Sequence, residues 1–524
     1  MASETDPPVR IERALLSPYE KTGLSDLARS LESFGVELWA TRGTRSALEA
    51  AGIRARAAEE LTGIGSWFGG RIKTLHPGLL AGILSPASPE GEAELKEHGF
   101  LRFDLVVVQL YPFEHYTETH PDATDREEYI DIGGVTLARA AAKNHRRAAV
   151  VVDPSQYAPL LEEMRRLGGS LSGETRRALA VRAFERCSAY DRAIARGLSP
   201  TPSGAPESPF PPDVGFHRLP LRLRYGENPH QRAATYATAD LPGSSSEGDP
   251  FELLKGESLS FTNLLDLDAA VSIVSEFPTP TVAVVKHATP CGVASGATVR
   301  EAIERAIATD TVARYGCTVA VNRPLGPEDP PALHGVFVDV LAAPSIDGEA
   351  RKALERRPKL KVVQIAPRPV DAPRWEAHAA LGRLLLQEGD RRQLAPGDFR
   401  LVTGTPASPE MACSLDFAWR VVRHVKSNGI VLAQGSKTVG IGGGQPTRAT
   451  AVQIACDIAG ERARGAVLAS DAFFPFADGV EVAGKAGVRA IIQPGGSMRD
   501  PEVIATAERY GISMYFTGWR VFRH

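Results

Sequence analysis

Short, unbroken runs of aliphatic residues recur along the chain, and amphipathic stretches with helical spacing separate them. In the first third the runs are ALL (14–16), VELWA, DLVVVQLYPF (104–113) and AAVVVD (148–153), and SDLARSLESFG and TRSALEAAG follow the first two. β-Branched runs without polar alternation are typical of strands buried on both faces. Strands that alternate with helices predict a doubly wound parallel sheet, whose ligands lie beyond the carboxyl ends of its strands.

A stretch rich in Pro, Ser and Gly divides this pattern in two. Residues 199–213, SPTPSGAPESPFPPD, favour no packed element. Strand-like runs resume downstream at TVAVV (281–285), FVDVLAAP (337–344), GIVLAQ (429–434), GAVLAS (465–470) and VRAIIQPGG (488–496). The segment PEVIATAERYG (501–511) predicts a helix that ends at Gly511. We therefore expect one domain over 1–198, a linker over 199–219 and a second domain over 220–524.

Composition excludes several classes of function. The net charge of −3 gives no signature of a nucleic-acid or membrane-surface binder. The five cysteines are scattered without a C-x-x-C pair, which favours reduced thiols over disulfides or a zinc ribbon. We find no apolar core of a secretory signal and no run near the ~18 residues of a membrane span. A cytoplasmic protein is expected.

Two ionisable side chains stand where a buried run stops, in VAVVKHATPCG. Lys286 and His287 end the run, and Pro290 and Gly292 make a turn plausible there. A turn would let both side chains work together, whereas strictly extended neighbours point to opposite faces. The alternative is a solvated strand end capped by Lys286, and this segment alone favours neither interpretation.

Two segments of the first third carry further candidates. GGRIKTLHPG (69–78) sets a glycine pair before Arg71 and Lys73, which suits a phosphate or simply a basic surface turn. In DIGG (131–134), Asp131 is either a functional carboxylate or a helix N-cap. Tyr111 ends a strand, where its hydroxyl could donate a proton or satisfy the core.

The glycine-dense segment VGIGGGQPTR (439–448) lacks the spacing of a P-loop or of a dinucleotide fingerprint. It suits a place where backbone approaches a ligand, with Arg448 behind it. The chain has no convincing metal-ligand spacing and no G-x-S-x-G elbow.

Together these segments resemble one family, the bifunctional purine-biosynthesis proteins that join aminoimidazole-carboxamide ribonucleotide (AICAR) formyltransferase to inosine-monophosphate (IMP) cyclohydrolase. The resemblance runs from ALLSPYEKTG to FTGWRVFRH. Its densest segments are GGRIKTLHP, DLVVVQLYPFE, IDIGG, RAAAKNH, LRYGENPHQ (223–231), SLSFTNLLDLDAA (258–270), VVKHATPCGVA, HVKSNGIVLA, SDAFFPFADGV (470–480) and AIIQPGGSMRD. It implies an α/β protein: a methylglyoxal-synthase-like doubly wound domain, then two cytidine-deaminase-like α/β subdomains.

The resemblance implies the last two steps of IMP synthesis. A formyl group passes from 10-formyltetrahydrofolate to the 5-amino group of AICAR, giving FAICAR, whose ring then closes to IMP with loss of water. Lys286 and His287 become the catalytic pair of the transfer, because a histidine can move the proton and an ammonium can stabilise the oxyanion. The substrate-binding residues implied for this site are Arg224, Tyr225, Asn228, Lys255, Tyr315, Asp339, Asn428, Arg448, Phe473, Asp478, Arg520 and Phe522, with Phe473 and Asp478 on the folate side.

For ring closure, the resemblance implies catalytic Lys73, Tyr111, Asp131 and Lys143. Tyr111, with Lys73 nearby, supplies a proton to the departing oxygen, and Asp131 accepts one from the carboxamide. The substrate-binding residues implied for this site are Ser17, Lys21, Thr41, Arg42, Gly43, Arg71 and Thr74.

The chain departs from the family pattern at three places. Tyr19 of SPYEKT replaces a serine, Arg42 of ATRGT replaces a glycine, and ARYGC (313–317) replaces Ser-Ala-Phe-Gly-Gly. We expect Arg42 to keep an ordinary conformation and to bind phosphate through its guanidinium. The departures motivate two alternatives: a single-activity formyltransferase with an impaired first domain, or a non-catalytic relative that binds purine ribonucleotides.

The partners implied by the resemblance are small molecules: AICAR, FAICAR, IMP and the folate co-substrate. It also implies a homodimer whose transferase sites lie between subunits. Neither a nucleic acid nor a membrane is expected as a partner. No metal is implied, because the deaminase-like ligand sets are absent.

Overall fold

The computed structural model describes residues 6–63, 68, 71–72, 74–120, 123, 125–199, 210, 214–238, 250–369, 372, 374–395 and 398–524. The chain divides into two compact units, Met1–Ser208 (the N-terminal unit) and Pro209–His524 (the C-terminal unit). Of the segment expected to be a linker, residues 200–209 and 211–213 lie outside the described residues.

Strands and helices alternate along the N-terminal unit. Its described strands are β1 (Val9–Arg10), β2 (Arg13–Ser17), β3 (Glu37–Ala40), β4 (Arg56–Ala57), β5 (Leu105–Val108), β6 (Ala149–Val151) and β7 (Ser170–Leu171). Its described helices are α1 (Leu24–Ser33), α2 (Arg42–Ala50), α3 (Glu59–Thr62), α4 (Pro77–Leu84), α5 (Pro89–Glu97), α6 (Phe113–Thr119), α7 (Gly133–Lys143), α8 (Tyr157–Arg166) and α9 (Gly173–Leu198), with 3-10 turns at Arg126–Tyr129 and Pro154–Gln156.

Strands β2 to β6 form a parallel sheet in the order β4-β3-β2-β5-β6, while β1 pairs with β7. Helices cover both faces of this sheet. On one face Leu16 packs with Leu27 of α1, and on the other Leu15 packs with Leu137 of α7. Consecutive strand residues point to opposite faces, so both must be apolar, which explains the unbroken runs. The predicted doubly wound parallel sheet is confirmed.

The C-terminal unit is built around a long mixed sheet. Its described strands are β8 (His217–Arg218), β9 (Tyr236–Ala237), β10 (Glu252–Lys255), β11 (Thr281–Lys286), β12 (Thr289–Ser295), β13 (Cys317–Val321), β14 (Val338–Ala343), β15 (Lys361–Gln364), β16 (Trp375–Ala380), β17 (Arg383–Glu388), β18 (Arg400–Leu401), β19 (Ile430–Gln434), β20 (Lys437–Gly442), β21 (Val467–Ser470), β22 (Ala490–Gln493) and β23 (Ser513–Phe516). Its described helices are α10 (Phe261–Ser275), α11 (Val299–Ile307), α12 (Gly348–Glu355), α13 (Pro409–Val422), α14 (Arg448–Ala459), α15 (Asp478–Lys485) and α16 (Asp500–Arg509), with 3-10 turns at Pro330–Leu333 and Gly460–Ala463.

The order of the long sheet is β10-β15-β14-β13-β11-β12-β20-β19-β21-β22-β23-β18, and it contains one motif twice. The hairpin β11–β12 is followed by β13, antiparallel to β11, and then by β14 and β15, which run parallel to β13. The hairpin β19–β20 and strands β21, β22 and β23 repeat this arrangement. The outer hairpin strands join the halves where Ala294 pairs with Lys437. The two motifs are a pair of α/β subdomains, as predicted.

Helices α10 and α13 share one face of this sheet across both halves. Ile273 of α10 and Trp419 of α13 belong to a single buried cluster with Val285 and Val431 of the two hairpins. On the opposite face, α11 packs on the first half, and α14, α15 and α16 pack on the second. The common core on the first face makes the two halves one unit.

Two glycines allow helices to lie against the hairpins at equivalent positions. A Cβ on Gly292 of β12 would lie 2.1 Å from the carbonyl oxygen of Ala306 in α11. A Cβ on Gly440 of β20 would lie 2.0 Å from the carbonyl oxygen of Ala455 in α14. The expectation that backbone approaches a ligand in segment 439–448 is therefore wrong for Gly440, since a helix occupies that space.

Candidate active sites

The residues expected to form the transferase site gather at one edge of the long sheet, the edge that is formed by the ends of its strands. Strand β11 ends at this edge, and β13, β14 and β15 begin there. The antiparallel register at Ala294 and Lys437 brings the β11–β12 turn beside the end of β20, where β21, β22 and β23 also end. We call this the hairpin edge; it carries Lys286, His287 and Asn428. The first half contributes the amino ends of its parallel strands to this edge, and the second half contributes the carboxyl ends.

The turn that carries His287 lies earlier in the chain than expected. Lys286 pairs with Thr289, so the loop consists of His287 and Ala288, with φ angles of 57° and 55°. Positive φ at both central residues is the pattern of a type I′ hairpin turn. Pro290, expected in the turn, lies in β12 instead. The pair does lie at a turn, and the His287 side chain is exposed.

Neighbouring elements hold this turn on two sides. The carboxylate of Asp266 in α10 accepts the backbone N–H of Ala288 at 2.6 Å. Burial raises the pKa of Asp266, against the opposing effects of that hydrogen bond and of the charges on His287 and Lys286. The Lys286 ammonium donates to the carbonyl oxygen of Tyr315 at 2.8 Å. Sequence analysis missed Asp266, although it lies within the matched segment 258–270.

Asp339 is held by two side chains that sequence analysis also missed. Asn263 of α10 donates through Nδ2 to Asp339 Oδ2 at 2.8 Å, and Lys361 donates to Asp339 Oδ1 at 2.6 Å. Asn263 and Asp266 are three residues apart, so they share one face of α10. Two polar residues at this spacing in a mostly apolar helix were the available signal.

Arg448 lies in a buried network at the hairpin edge. Its guanidinium donates to Asp471 Oδ1 at 2.5 Å and to Asn428 Oδ1 at 2.7 Å. Ser427 donates to the other oxygen of Asp471 at 2.6 Å and accepts the backbone N–H of Arg523 at 3.2 Å. The network fixes Asn428 and ties the C-terminal segment to the sheet, so Arg448 is engaged by protein groups.

Lys255 lies at the same edge with its ammonium directed at a helix end. It donates to the carbonyl oxygens of Leu354, Glu355 and Arg357 at 2.8, 3.2 and 2.7 Å, which satisfies the C-terminus of α12. Burial lowers the pKa of Lys255. An ammonium has three donors, so Lys255 would have to leave these carbonyls to bind a phosphate.

The segment 223–231 joins this edge through the start of α10. The backbone N–H of Arg224 bonds to Leu259 O, and the carbonyl of Tyr225 accepts the N–H of Phe261 at 3.1 Å. The Arg224 guanidinium lies 5.3 Å from the centre of the Tyr225 ring. Asn228 donates to Gln231 Oε1 at 2.9 Å.

The remaining transferase candidates are more exposed. Tyr315 is 68% exposed, and the rings of Phe473 and Phe522 are also exposed. The Arg520 guanidinium lies 4.7 Å from the centre of the Phe522 ring. Asp478 starts α15 and accepts the N–H of Gly479 at 2.7 Å. Exposed aromatic rings beside cations give this edge surfaces on which planar groups can stack.

In the N-terminal unit, the predicted phosphate residues meet where β2 and β3 end. Thr41 donates to Ser17 at 3.3 Å across the two strands, and Lys21 donates to Thr44 at 3.2 Å. Helix α2 begins at Arg42, so its first backbone N–H groups lie beside these side chains. A helix N-terminus with a cation and hydroxyls is the arrangement that binds phosphate.

Arg42 has the ordinary helical backbone that we expected, because it is the first residue of α2 and has no positive φ. Its side chain is exposed. At the next position, a Cβ on Gly43 would meet nothing within 4 Å. The arginine at 42 therefore introduces no backbone strain.

Helix α7 presents its N-terminus to Asp131 and Thr74. Asp131 accepts the N–H of Gly134 at 2.6 Å, so its carboxylate caps this helix from the position before the N-cap residue Ile132. Thr74 is 1% exposed, and its hydroxyl has no partner among the described residues. A Cβ on Gly133 would lie 2.4 Å from that hydroxyl. A buried, unpartnered hydroxyl at a helix N-terminus is poised for a polar ligand.

The other cyclohydrolase candidates differ in placement. Tyr111 is half-buried, and its ring packs edge-on against Tyr19 with the centroids 5.6 Å apart. Tyr19, one of the departures from the family pattern, thus contacts the expected proton donor. Arg71 forms an ion pair with Glu128, and Lys73 lies outside the described residues.

Lys143 is not brought to Asp131. It is the last residue of α7, whereas Gly133 is the first, and ten helical steps separate them by about 15 Å. Lys143 is exposed at the end of the helix that precedes β6, on the amino side of the sheet. Helix α7 therefore separates Lys143 from Asp131 within one chain, and the role of Lys143 stays a prediction.

Two families of known proteins match this chain. The family described as AICARFT/IMPCHase bienzyme matches residues 141–458, and the MGS-like domain matches residues 23–136. Three relatives are each described as a bifunctional purine biosynthesis protein PurH. That of Desulfitobacterium hafniense (strain DSM 10664 / DCB-2) is 43% identical over 98% of this chain and 99% of its own. That of Xanthomonas oryzae pv. oryzae (strain PXO99A) is 44% identical over 100% of both chains, and that of Rhodopirellula baltica is 42% identical over 98% and 99%.

The two α/β units, each with polar residues gathered at one sheet edge, are those of a bifunctional biosynthetic enzyme. The chain belongs to the AICARFT/IMPCHase bienzyme family. Its activities in purine biosynthesis are those of an AICAR formyltransferase and an IMP cyclohydrolase.

Within the described ranges, no group of three or more His, Cys, Asp or Glu is placed to hold a metal ion. None of the helices that the structure describes is both long and apolar enough to cross a membrane.

Proposed function

We propose that the C-terminal unit transfers the formyl group of 10-formyltetrahydrofolate to AICAR at the hairpin edge, and that the N-terminal unit closes FAICAR to IMP. The observation that carries the first assignment is the His287–Ala288 turn, which places an exposed histidine directly after Lys286 at the end of β11. Both lie at the edge where the second half of the sheet ends its parallel strands, the usual place of ligands in α/β folds.

In the transfer, the 5-amino nitrogen of AICAR attacks the formyl carbon and a carbon–nitrogen bond forms. His287 accepts the proton that the amine loses, and Lys286 stabilises the oxyanion on the formyl oxygen. When the bond to folate N10 breaks, His287 returns its proton to that nitrogen. The products are FAICAR and tetrahydrofolate, and His287 ends in its starting state.

Binding groups surround this pair. Asn428, fixed by Arg448, and Asp339, fixed by Asn263 and Lys361, offer rigid polar contacts to the nucleotide. Arg224, Tyr225 and Asn228 extend this surface, and Tyr315, Arg520 and Phe522 supply exposed contacts. Phe473 and Asp478 form the folate side. Lys255 binds the nucleotide only if its ammonium releases the carbonyl oxygens at the end of α12.

In the cyclisation, the carboxamide nitrogen of FAICAR attacks its own formyl carbon. Asp131 accepts a proton from that nitrogen, and Tyr111 donates one to the formyl oxygen, which becomes a hydroxyl group. The hydroxyl takes the second proton from Asp131 and leaves as water, while the formamide nitrogen returns its proton to Tyr111 and forms the C=N bond of the ring. The N-terminus of α7 lies at Asp131, where its N–H groups stabilise negative charge. We assign Lys73 to a position beside Tyr111 from the sequence motif.

The FAICAR phosphate binds at the start of α2. Ser17, Lys21 and Thr41 supply donors, and the backbone at Gly43 is open to approach. Arg42 adds a guanidinium, which makes bidentate hydrogen bonds to phosphate oxygens. Thr74 offers its buried hydroxyl to FAICAR at the N-terminus of α7, whereas Arg71 must leave Glu128 to take part.

The hairpin edge is also the proposed contact between two copies of the chain. Met498 is fully exposed, Val312 is 83% exposed, and Phe476 and Phe522 are exposed there as well. Large exposed apolar side chains along this edge support an interaction surface there. Light scattering should give twice the 56.1 kDa mass of one chain; a monomer at assay concentration would contradict this part.

One assay separates the proposal from its alternatives. Purified protein is incubated with AICAR and 10-formyltetrahydrofolate, and FAICAR and IMP are followed by chromatography. Both activities give IMP, accumulation of FAICAR indicates an impaired N-terminal unit, and absence of turnover indicates a binding protein. His287→Ala should lower formyl transfer by roughly 10²–10⁴-fold. Transfer within a few-fold of the parent would contradict the role of His287.

A further inference from the structure

The turn that carries His287 is made of residue types that disfavour its conformation. The other two-residue hairpin loops described in this unit each contain a glycine with positive φ, Gly382 between β16 and β17 and Gly435 between β19 and β20. The loop His287–Ala288 has positive φ at both positions and no glycine. Residues with a Cβ adopt this region at a cost, and such strain persists only where neighbours hold it.

Asp266 is placed to stabilise this strained turn. Its carboxylate accepts the backbone N–H of Ala288, the second turn residue, at 2.6 Å. Asp266 itself is fixed because α10 is anchored in the core through neighbours such as Leu267 and Ile273. The contact thus connects a rigid helix to the one loop position adjacent to His287.

We propose that Asp266 is a positioning residue of formyl transfer: it fixes the strained turn and places a negative charge beside His287. This inference rests on the proposed role of His287. Asp266 acts through the turn and through its charge, without touching the formyl group. Its charge favours the imidazolium form that His287 must adopt after accepting the amine proton.

The electrostatic surroundings of Asp266 are mixed. Lys286 and His287 face it from the hairpin, Asp339 from β14 and the Cys317 thiol from β13. Asp339 is itself paired with Lys361, which offsets its charge. Removing the charge of Asp266 therefore makes the surroundings of His287 less negative.

The test uses two substitutions that separate the two roles. Asp266→Asn keeps an oxygen that accepts the Ala288 N–H but removes the charge, so the limb of the pH–rate profile due to His287 should move to lower pH. Asp266→Ala removes the acceptor as well, and kcat for formyl transfer should fall by up to about 10²-fold, the effect of a displacement near 1 Å. Cyclisation of supplied FAICAR should not change.

Asp329→Asn is the matched control. Asp329 is buried, accepts the backbone N–H of Gly326 at 2.7 Å and, like Asp266, has its pKa raised by burial. It lies beyond the end of β13, at the opposite edge of the sheet. This variant should keep the parent rate and pH profile of formyl transfer.

A rescue experiment distinguishes positioning from general structural support. Glycine adopts positive φ freely, so Ala288→Gly introduced into Asp266→Ala should recover part of the lost kcat. An Asp266→Ala enzyme that behaves like the Asp329→Asn control overturns the inference. The inference is also overturned if Asp266→Ala is slow, Ala288→Gly does not rescue it, and Asp266→Asn leaves the His287 limb of the pH–rate profile unmoved. If His287→Ala retains the parent rate, the assignment of His287 fails, and this inference fails with it; an inactive His287→Ala beside a normal Asp266→Ala refutes this inference alone.

Discussion

Replacing Gly134 by alanine should displace the Asp131 carboxylate without removing any chemical group. A Cβ on Gly134 would lie 2.3 Å from Asp131 Oδ2 and 2.9 Å from its carboxyl carbon. Carbon and oxygen atoms not bonded to each other come no closer than about 3.3 Å. The carboxylate must therefore move by about 1 Å, and the 2.6 Å hydrogen bond from the Gly134 N–H must lengthen or break.

The size of the effect follows from this displacement. A misplacement of about 1 Å costs up to ~10²-fold in rate, so kcat for cyclisation of FAICAR should fall between tenfold and a hundredfold. Loss of the cap costs about 1 kcal/mol, and alanine in place of a helical glycine returns a similar amount. The melting temperature should therefore change little. Formyl transfer, in the other unit, should be unaffected.

The assay supplies FAICAR and follows IMP, with formyl transfer and thermal melting measured on the same preparation. Gly348→Ala is the control, because Gly348 also lies in the first turn of a helix, α12, and a Cβ there would meet nothing within 4 Å. A Gly134→Ala enzyme that cyclises FAICAR at the parent rate would refute the placement of Asp131 in the reaction. Equal loss of both activities would show damage to the fold instead.

Three further changes have defined outcomes. Tyr111→Phe keeps the ring but removes the proton, so FAICAR should accumulate while formyl transfer continues; equal loss of both would indicate a structural tyrosine. Arg42→Gly should raise KM for FAICAR by roughly 10- to 100-fold, the effect of one charge-assisted hydrogen bond, with kcat nearly unchanged; an unchanged KM would refute a phosphate contact. Burial acts to raise the pKa of Glu276, but the hydrogen bond from His424 and the charges of His424 and Arg423 outweigh it and lower this pKa to about 2. Since that value lies below 4.5, Glu276 stabilises the fold above pH 4.5 and loses this effect as the pH falls toward 2. Glu276→Gln should lower the melting temperature at pH 7 by an amount that shrinks below pH 4.5, and a constant difference would contradict the linkage.

Periodicity predicted the buried strands well, because burial on both faces leaves a direct mark on the sequence. The runs at 104–113, 281–285 and 488–496 each contain a strand of the structure. Strand β12 was missed because Pro290 and Gly292 disfavour strands in general. Here Gly292 is required by the helix that packs on it, a tertiary contact that no local pattern contains.

The family motifs located most candidate residues but not how they are held. The partners of the site residues are distant in sequence: Asp266 bonds to residue 288, Lys361 to Asp339, and Arg448 to Asp471. Only the folded sheet brings them together. Lys143 shows the converse, since its motif lies close to Asp131 in sequence while a straight helix separates the two.

The most direct test of the two-unit account mixes two single-site variants. His287→Ala enzyme and Tyr111→Phe enzyme are each incubated with AICAR and 10-formyltetrahydrofolate, alone and in equal amounts together, and IMP is measured. Alone, His287→Ala should form almost no FAICAR and Tyr111→Phe should accumulate it. Together they should produce IMP, because FAICAR made by the second enzyme is closed by the first. A mixture that yields no more IMP than the separate reactions, or either variant forming IMP at the parent rate, would contradict the assignment of one reaction to each unit.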